Sequence, residues 1–234
     1  MVEVDPRNRK RASISLVVSR VDSLENRRMV AAYHLIWTAY GWWLPNDPRG
    51  SMSKEISVRS LRELGPCHHG RKTVQPQGRA IREFYERAAE KLRHELLTFP
   101  PNQCGCIAEA MGKAIRRHGY TCCAAAVMPD HVHVLIRKHR DRGETMIANL
   151  QAASRELLLR RGHRDKEHPV WGGPGWVVFL ETPTDIRRVI HYIERNPIKI
   201  GWPVQQWEWV TEYDGWLSGL SPHRSDLRNR KRPR

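Results

Sequence analysis

The sequence predicts a mixed α+β fold, and three observations predict it. Apolar residues alternate with others at 30–40 and again from His131 to Arg137, the period-two signature of half-buried strands. Other stretches repeat their apolar residues at i, i+3, i+4 and i+7, as amphipathic helices do. These two patterns interleave along 234 residues, a length that suits one domain with insertions or one domain plus tails. No apolar run approaches the length of a membrane span. Lys and Arg number 40 against 25 Asp and Glu, a formal net charge of +15. That excess points to a polyanionic partner, most simply nucleic acid. Five cysteines, an odd count, argue against a closed disulfide framework and for a reducing, cytoplasmic setting.

Residues 1–28 are polar and basic and read as a loosely attached N-terminal segment. The strand over Val30–Tyr40 follows, with Tyr33, Leu35 and Trp37 on one face and His34, Ile36 and Thr38 on the other. Gly41 ends it, and the turn-rich Leu44–Gly50 stretch opens an insertion at about 41–100. Cys67-His68-His69 lies in that insertion, but no second pair stands at a zinc-finger spacing. Helices are expected over Arg79–Leu97, stopped by Phe99-Pro100-Pro101, and over Cys106–His118, capped by Gly119. The run Tyr120–Met128 reads as a buried strand that turns at Pro129-Asp130 into a second one. A third helix runs from Gly143-Glu144 to Gly162, and Trp176–Leu180 is a short strand. Thr182-Pro183-Thr184-Asp185 is a helix start with a cap, a proline at the first position and an acid placed to close a capping box. The stripe Ile186, Val189, Ile190, Ile193 follows, and Asn196-Pro197 ends it.

Two of these elements carry chemistry. On the strand from His131, side chains two apart share a face, so His131 and His133 project together while Val132, Val134 and Ile136 enter the core. On the last helix, Tyr192 and Asn196 fall about 40° apart on one flank of the buried stripe. They form an i, i+4 pair able to act together. Two imidazoles and one amide oxygen leave open positions on a divalent cation. Such a cation polarises a phosphodiester oxygen in line with an attacking phenolate. The oxygen ligand favours Mg or Mn over a closed zinc site. Arg137, Lys138, Arg155, Arg188, Arg195 and Lys199 are candidate DNA-binding cations. Residues 204–234 form a Trp- and Arg-rich C-terminal tail. The aromatics of 202–217 (Trp202, Trp207, Trp209, Tyr213 and Trp216) either stack on unpaired bases or pack the tail onto the domain.

Met128-Pro129-Asp130-His131-Val132-His133 and Tyr192-Ile193-Glu194-Arg195-Asn196-Pro197-Ile198-Lys199 resemble the two signatures of the single-tyrosine HUH transposases. Within that insertion-sequence-200-like family, the REP-associated tyrosine transposases of bacteria are the nearer likeness. The resemblance covers roughly Val30–Tyr40 and Cys104–Pro203, and gives a domain at 29–203. It implies a ferredoxin-like antiparallel sheet with packed helices. It implies that Tyr192 attacks single-stranded DNA, leaving a 5′-phosphotyrosine link and a free 3′-hydroxyl. It makes His131, His133 and Asn196 the ligands of Mg or Mn, and hairpin or palindromic DNA ends the substrate. The insertion and the tails depart from the compact family pattern and leave substrate identity, and monomer against homodimer, open. A DNA-binding regulator that keeps the fold with little or no cleavage is the alternative.

Overall fold

Strand β1, Ala32–Thr38, is buried along its whole length, as a central strand with neighbours on both sides must be. Strand β3, His131–Arg137, pairs antiparallel with one edge of β1, setting Thr38 opposite His131 and Ile36 opposite His133. Strand β4, Trp176–Leu180, takes the other edge of β1. Strand β2, Cys122–Val127, flanks β3. The sheet order is β2-β3-β1-β4, all antiparallel. With helices after β1 and β3, this is the split β-α-β-β-α-β arrangement of ferredoxin-like folds. The computed structural model describes residues 29–70 and 72–216. The basic segment 1–28 and the terminal arginines from Arg224 onward lie outside the described residues.

Each sheet face has its own cover. Helices α2, Pro101–His118, and α3, Gly143–Arg160, pack on the face of Leu35, Trp37 and Val134, with Ile107, Met111, Ile147 and Leu150 buried between. Helix α4, Pro183–Glu194, lays Ile186 and Ile193 on the opposite face against Leu135, Leu180 and the small Ala124 and Ala126. Burying each isoleucine contributes about 1.5–3 kcal/mol. The α4 start is built as its sequence predicts: Thr182 Oγ1 accepts from the Asp185 backbone N–H at 3.1 Å, with Pro183 at the first helical turn.

The insertion is where expectation and structure part. Helix α1 spans only Gly78–Ala89, not Arg79–Leu97. Beyond it the chain is drawn out to the main core: Leu97 N–H donates to the Tyr40 carbonyl at 3.1 Å, and Phe99 N–H to that of Pro129 at 2.7 Å. Leu92 and Leu96, which keep helical spacing, instead pack on a satellite core of Leu44, Leu61, Leu64, Phe84, Tyr85 and Ala88. Pro100-Pro101 begins α2 as well as ending what precedes it, so that helix starts five residues before Cys106. Gly119 closes it at φ 71°, a left-handed cap that glycine adopts without penalty.

The residues after α4 cover the open edge of β2. The Gln205 carboxamide accepts from Val127 N–H at 2.8 Å and donates to its carbonyl at 2.9 Å, imitating a neighbouring strand. Thr211 N–H donates to the Cys122 carbonyl at 2.8 Å. Trp202, Trp207 and Trp209 are half-buried against the main core, and Tyr213 packs on the α4 side. No helix among the described residues is long and apolar enough to cross a membrane.

Candidate active site

The strand register brings three histidines, not two, onto the α4 face. His34 on β1 stands opposite Leu135, which makes His133 its diagonal neighbour on that face. The His34 Nε2 and His133 Nδ1 atoms lie 2.9 Å apart. His131 is tied in the same manner: its Nδ1 is 2.6 Å from Asp130 Oδ1. Both bonds use Nδ1, which leaves Nε2 of His131 and of His133 to serve as ligand atoms. Partners of this kind fix the orientation and tautomer of metal-ligating imidazoles. For His133 to present an Nε2 lone pair, its Nδ1 carries the proton and donates to His34.

Electrostatics agrees with that assignment. Burial, then the neighbouring His131, His34 and Lys199, holds His133 well below the usual imidazole range. Burial alone lowers His34 to about 4. Both rings are therefore neutral near pH 7, the form that accepts a metal. Burial works against the Asp130 charge, but its bond to His131 and the charge of His131 outweigh it, and the carboxyl titrates below its ordinary value.

Helix α4 supplies the facing groups. Its buried stripe leaves Tyr192 at the margin, 39% exposed, with its ring centroid 5.4 Å from that of His133 and 6.1 Å from that of His34. One turn on, Asn196 is buried; its Nδ2 donates to the Tyr192 carbonyl at 3.0 Å. Its Oδ1 accepts from the Lys199 ammonium at 3.1 Å. Lys199 Nζ also stands 4.4 Å from the centroid of the Tyr192 ring. A positive charge is thus already accommodated beside the amide oxygen and the phenol, and neutral imidazoles face it. This donor set fits a small divalent cation with oxygen and nitrogen ligands. Among the described residues no cluster of three or more His, Cys, Asp or Glu side chains is disposed to hold a metal. The set at this cleft needs the Asn196 amide. Cys67, His68 and His69 spend their side chains on the backbone carbonyls of Ser53 and Asp47.

His131, His133, Tyr192 and Asn196 line one cleft of about 370 Å³, and the insertion contributes Trp43 and Arg49 to its wall.

No family model matches the chain, and no curated protein does. Solved structures do. One is a REP-associated tyrosine transposase bound to a REP hairpin, 13% identical, with 84% of this chain and 99% of that one covered at a TM-score of 0.40. Another is a candidate transposase from Deinococcus radiodurans R1, 16% identical, with 71% and 91% covered at a TM-score of 0.35. The functional reading rests on the chain's own residues.

The candidate DNA-binding cations are dispersed. Lys199 bonds Asn196 beside the cleft, and Arg188 and Arg195 are exposed at α4 and its end. Arg188 donates to Asp185 at 2.8 Å. Arg137 and Lys138 lie at the far end of β3, where the Arg137 guanidinium stacks 3.3 Å above the Trp216 ring. Arg155 is on α3, across the sheet, and donates to the Lys166 carbonyl at 3.1 Å. Sequence reasoning alone misses His34, Trp43 and Arg49. His34 is visible only as the polar member of the Ile36 and Thr38 face; nothing in the period of 41–49 marks Trp43 or Arg49.

Proposed function

We propose that this chain cuts and rejoins single-stranded DNA, with Tyr192 as the nucleophile. The observation that carries the reading is the convergence of Tyr192 with His131 and His133, remote in sequence, in one cleft. Tyr192 Oη attacks a phosphorus atom. The Oη–P bond forms as the P–O3′ bond breaks, and the electron pair leaves on O3′, which is protonated to a free 3′-hydroxyl. The phenol proton passes to water. Attack by another 3′-hydroxyl reverses the step and rejoins the strand, so one phosphodiester is exchanged for another and no nucleotide cofactor is consumed. Lys199 sets its charge beside the phenoxide that develops during attack. Asn196, His131 and His133 would hold Mg or Mn, which when bound would polarise a phosphate oxygen. The DNA class, hairpin or palindromic ends, comes from the motif resemblance.

The test is incubation with end-labelled hairpin oligonucleotides from the DNA flanking the gene, in Mg or Mn, followed by a denaturing gel. A covalent adduct is expected with the wild type and none with Tyr192→Phe. Hairpin binding by the wild type with no adduct on any of these oligonucleotides replaces this reading with a DNA-binding regulator.

A further inference from the structure

The wall that the insertion builds is more organised than a loop packed against a domain needs to be. Asp47 is fully buried and grips Arg49 through both carboxylate oxygens: Oδ1 accepts from Arg49 N–H at 2.8 Å and Nε at 3.0 Å, and Oδ2 from Nη2 at 2.7 Å. The Tyr85 hydroxyl donates to Asp47 Oδ2. It also accepts from Arg49 Nη2 and from the Trp43 backbone N–H, each at 2.9 Å. That phenol oxygen therefore has its donor and both acceptor positions in use. Trp43 is held at φ 51°, a left-handed conformation that a bulky residue adopts only under constraint. The guanidinium lies 3.9 Å above the Trp43 ring, and the same ring meets His131 edge-on at 5.4 Å.

The polarity of this assembly is directed. Its negative end, Asp47, is sealed in the interior, while its positive end, Arg49, reaches the cleft that holds Tyr192. Asp47 and Tyr85 engage Nε and Nη2 and leave the Nη1 N–H groups outside the network. A rigid guanidinium on an aromatic face, open to an anion at one edge, suits a phosphate with its base. Resting on the reading of the cleft given above, we infer that Trp43 and Arg49 form a subsite for the unpaired nucleotide next to the scissile phosphate. Arg49 takes the backbone phosphate, and the Trp43–Arg49 stack takes the base. The alternative is a brace that only fastens the insertion to the domain.

Two measurements on the full-length protein decide between them. The first uses the unaltered chain: an oligothymidylate of about 20 nucleotides, longer than the usual single-strand site, is substituted with 5-iodouracil and irradiated. A crosslink at Trp43 is expected; crosslinks confined to other residues overturn the subsite. The second is anisotropy with unmodified oligothymidylate. Trp43→Leu should weaken binding about 5- to 150-fold, the worth of one base–aromatic stack, with partial rescue in Trp43→Phe. Arg49→Gln combined with Asp47→Asn, which leaves no buried charge unpaired, should flatten the slope of log affinity on log salt by about 0.7. Affinity and slope unchanged in both variants reduce the pair to a brace. Failure of the two readings is distinguishable. Trp43-dependent binding without any adduct keeps the subsite and removes the chemistry. An adduct formed equally by wild type and Trp43→Leu, with equal affinity, does the reverse.

Discussion

His34 shows how a single side chain changes the account of the cleft. Its ring sits under His133, not at the cleft surface, and acts through that neighbour. His34→Ala removes the acceptor for His133 Nδ1 and frees the His133 ring to rotate. Loss of such a partner lowers metal affinity about 10- to 100-fold. Manganese titration followed by electron paramagnetic resonance should show that loss in His34→Ala and near-wild-type affinity in Tyr192→Phe; equal affinity in His34→Ala and wild type refutes the role. The two imidazoles of β3 are legible because alternation needs only the sequence of one strand. His34 is not, because its partnership depends on the β1–β3 register, which no local pattern states. The cysteines make a second prediction at this scale. Cys104, Cys106, Cys122 and Cys123 are buried, and Cys67 is half-exposed. Burial, helped by the Asp130 charge, pushes Cys104 up to about 12. Its thiolate, the reactive form, is scarce at pH 8. One thiol should react quickly with a disulfide reagent in the native protein and all five in denaturant; more than one fast thiol contradicts the burial. The sign for stability follows. The Cys104 contribution is intact below about pH 9 and is lost as pH rises toward 12, because only the unfolded chain ionises in that window.

Among the elements, helix α4 is the most legible and α1 and α2 the least. Thr182, Pro183 and Asp185 specify the α4 start through bonds made within four residues. Nothing so local fixes the end of α1, where Leu92 and Leu96 satisfy helical spacing and satellite packing equally well. The two roles left open for the C-terminal tryptophans are separated by packing. Trp207 and Trp209 lie against the main core, and Trp209 occupies the space over Gly112 of α2. A Cβ at Gly112 would stand 2.4 Å from Trp209 Cδ1 and 2.8 Å from Nε1. In an isolated helix Gly→Ala is favourable. Here Gly112→Ala should destabilise the fold by about 1–3 kcal/mol, the cost of overpacking. A fall in the urea midpoint at unchanged m-value is the expected record. A raised midpoint would show that the segment from Trp202 to Trp216 does not hold this place on α2.

At the scale of the whole molecule, much of the positive charge is carried by residues that do not line the cleft. The cleft is assembled from residues between Ile36 and Asn196, and the cations at the far end of β3 and on α3 stand away from it. The net charge of +15 is shared with Arg224, Arg228, Arg230, Lys231, Arg232 and Arg234, which follow the described residues. Cations of this kind bind phosphates through counterion release, which raises affinity for any strand and makes it steeply salt-dependent. On the reading proposed above, the alignment of Tyr192 with a phosphorus atom falls to the residues that line the cleft. Truncation before Arg224 should therefore weaken binding of oligothymidylate at low salt and flatten the salt slope by about 0.7 for each phosphate that the removed cations neutralise. Adduct formation at saturating hairpin DNA should keep its wild-type rate, because the groups around the phosphate are all retained. Binding curves at several salt concentrations beside single-turnover gels measure both quantities on one preparation. A truncated protein that binds normally but loses the adduct rate at saturation would place the terminal arginines at the reacting phosphate and end the separation of the two roles.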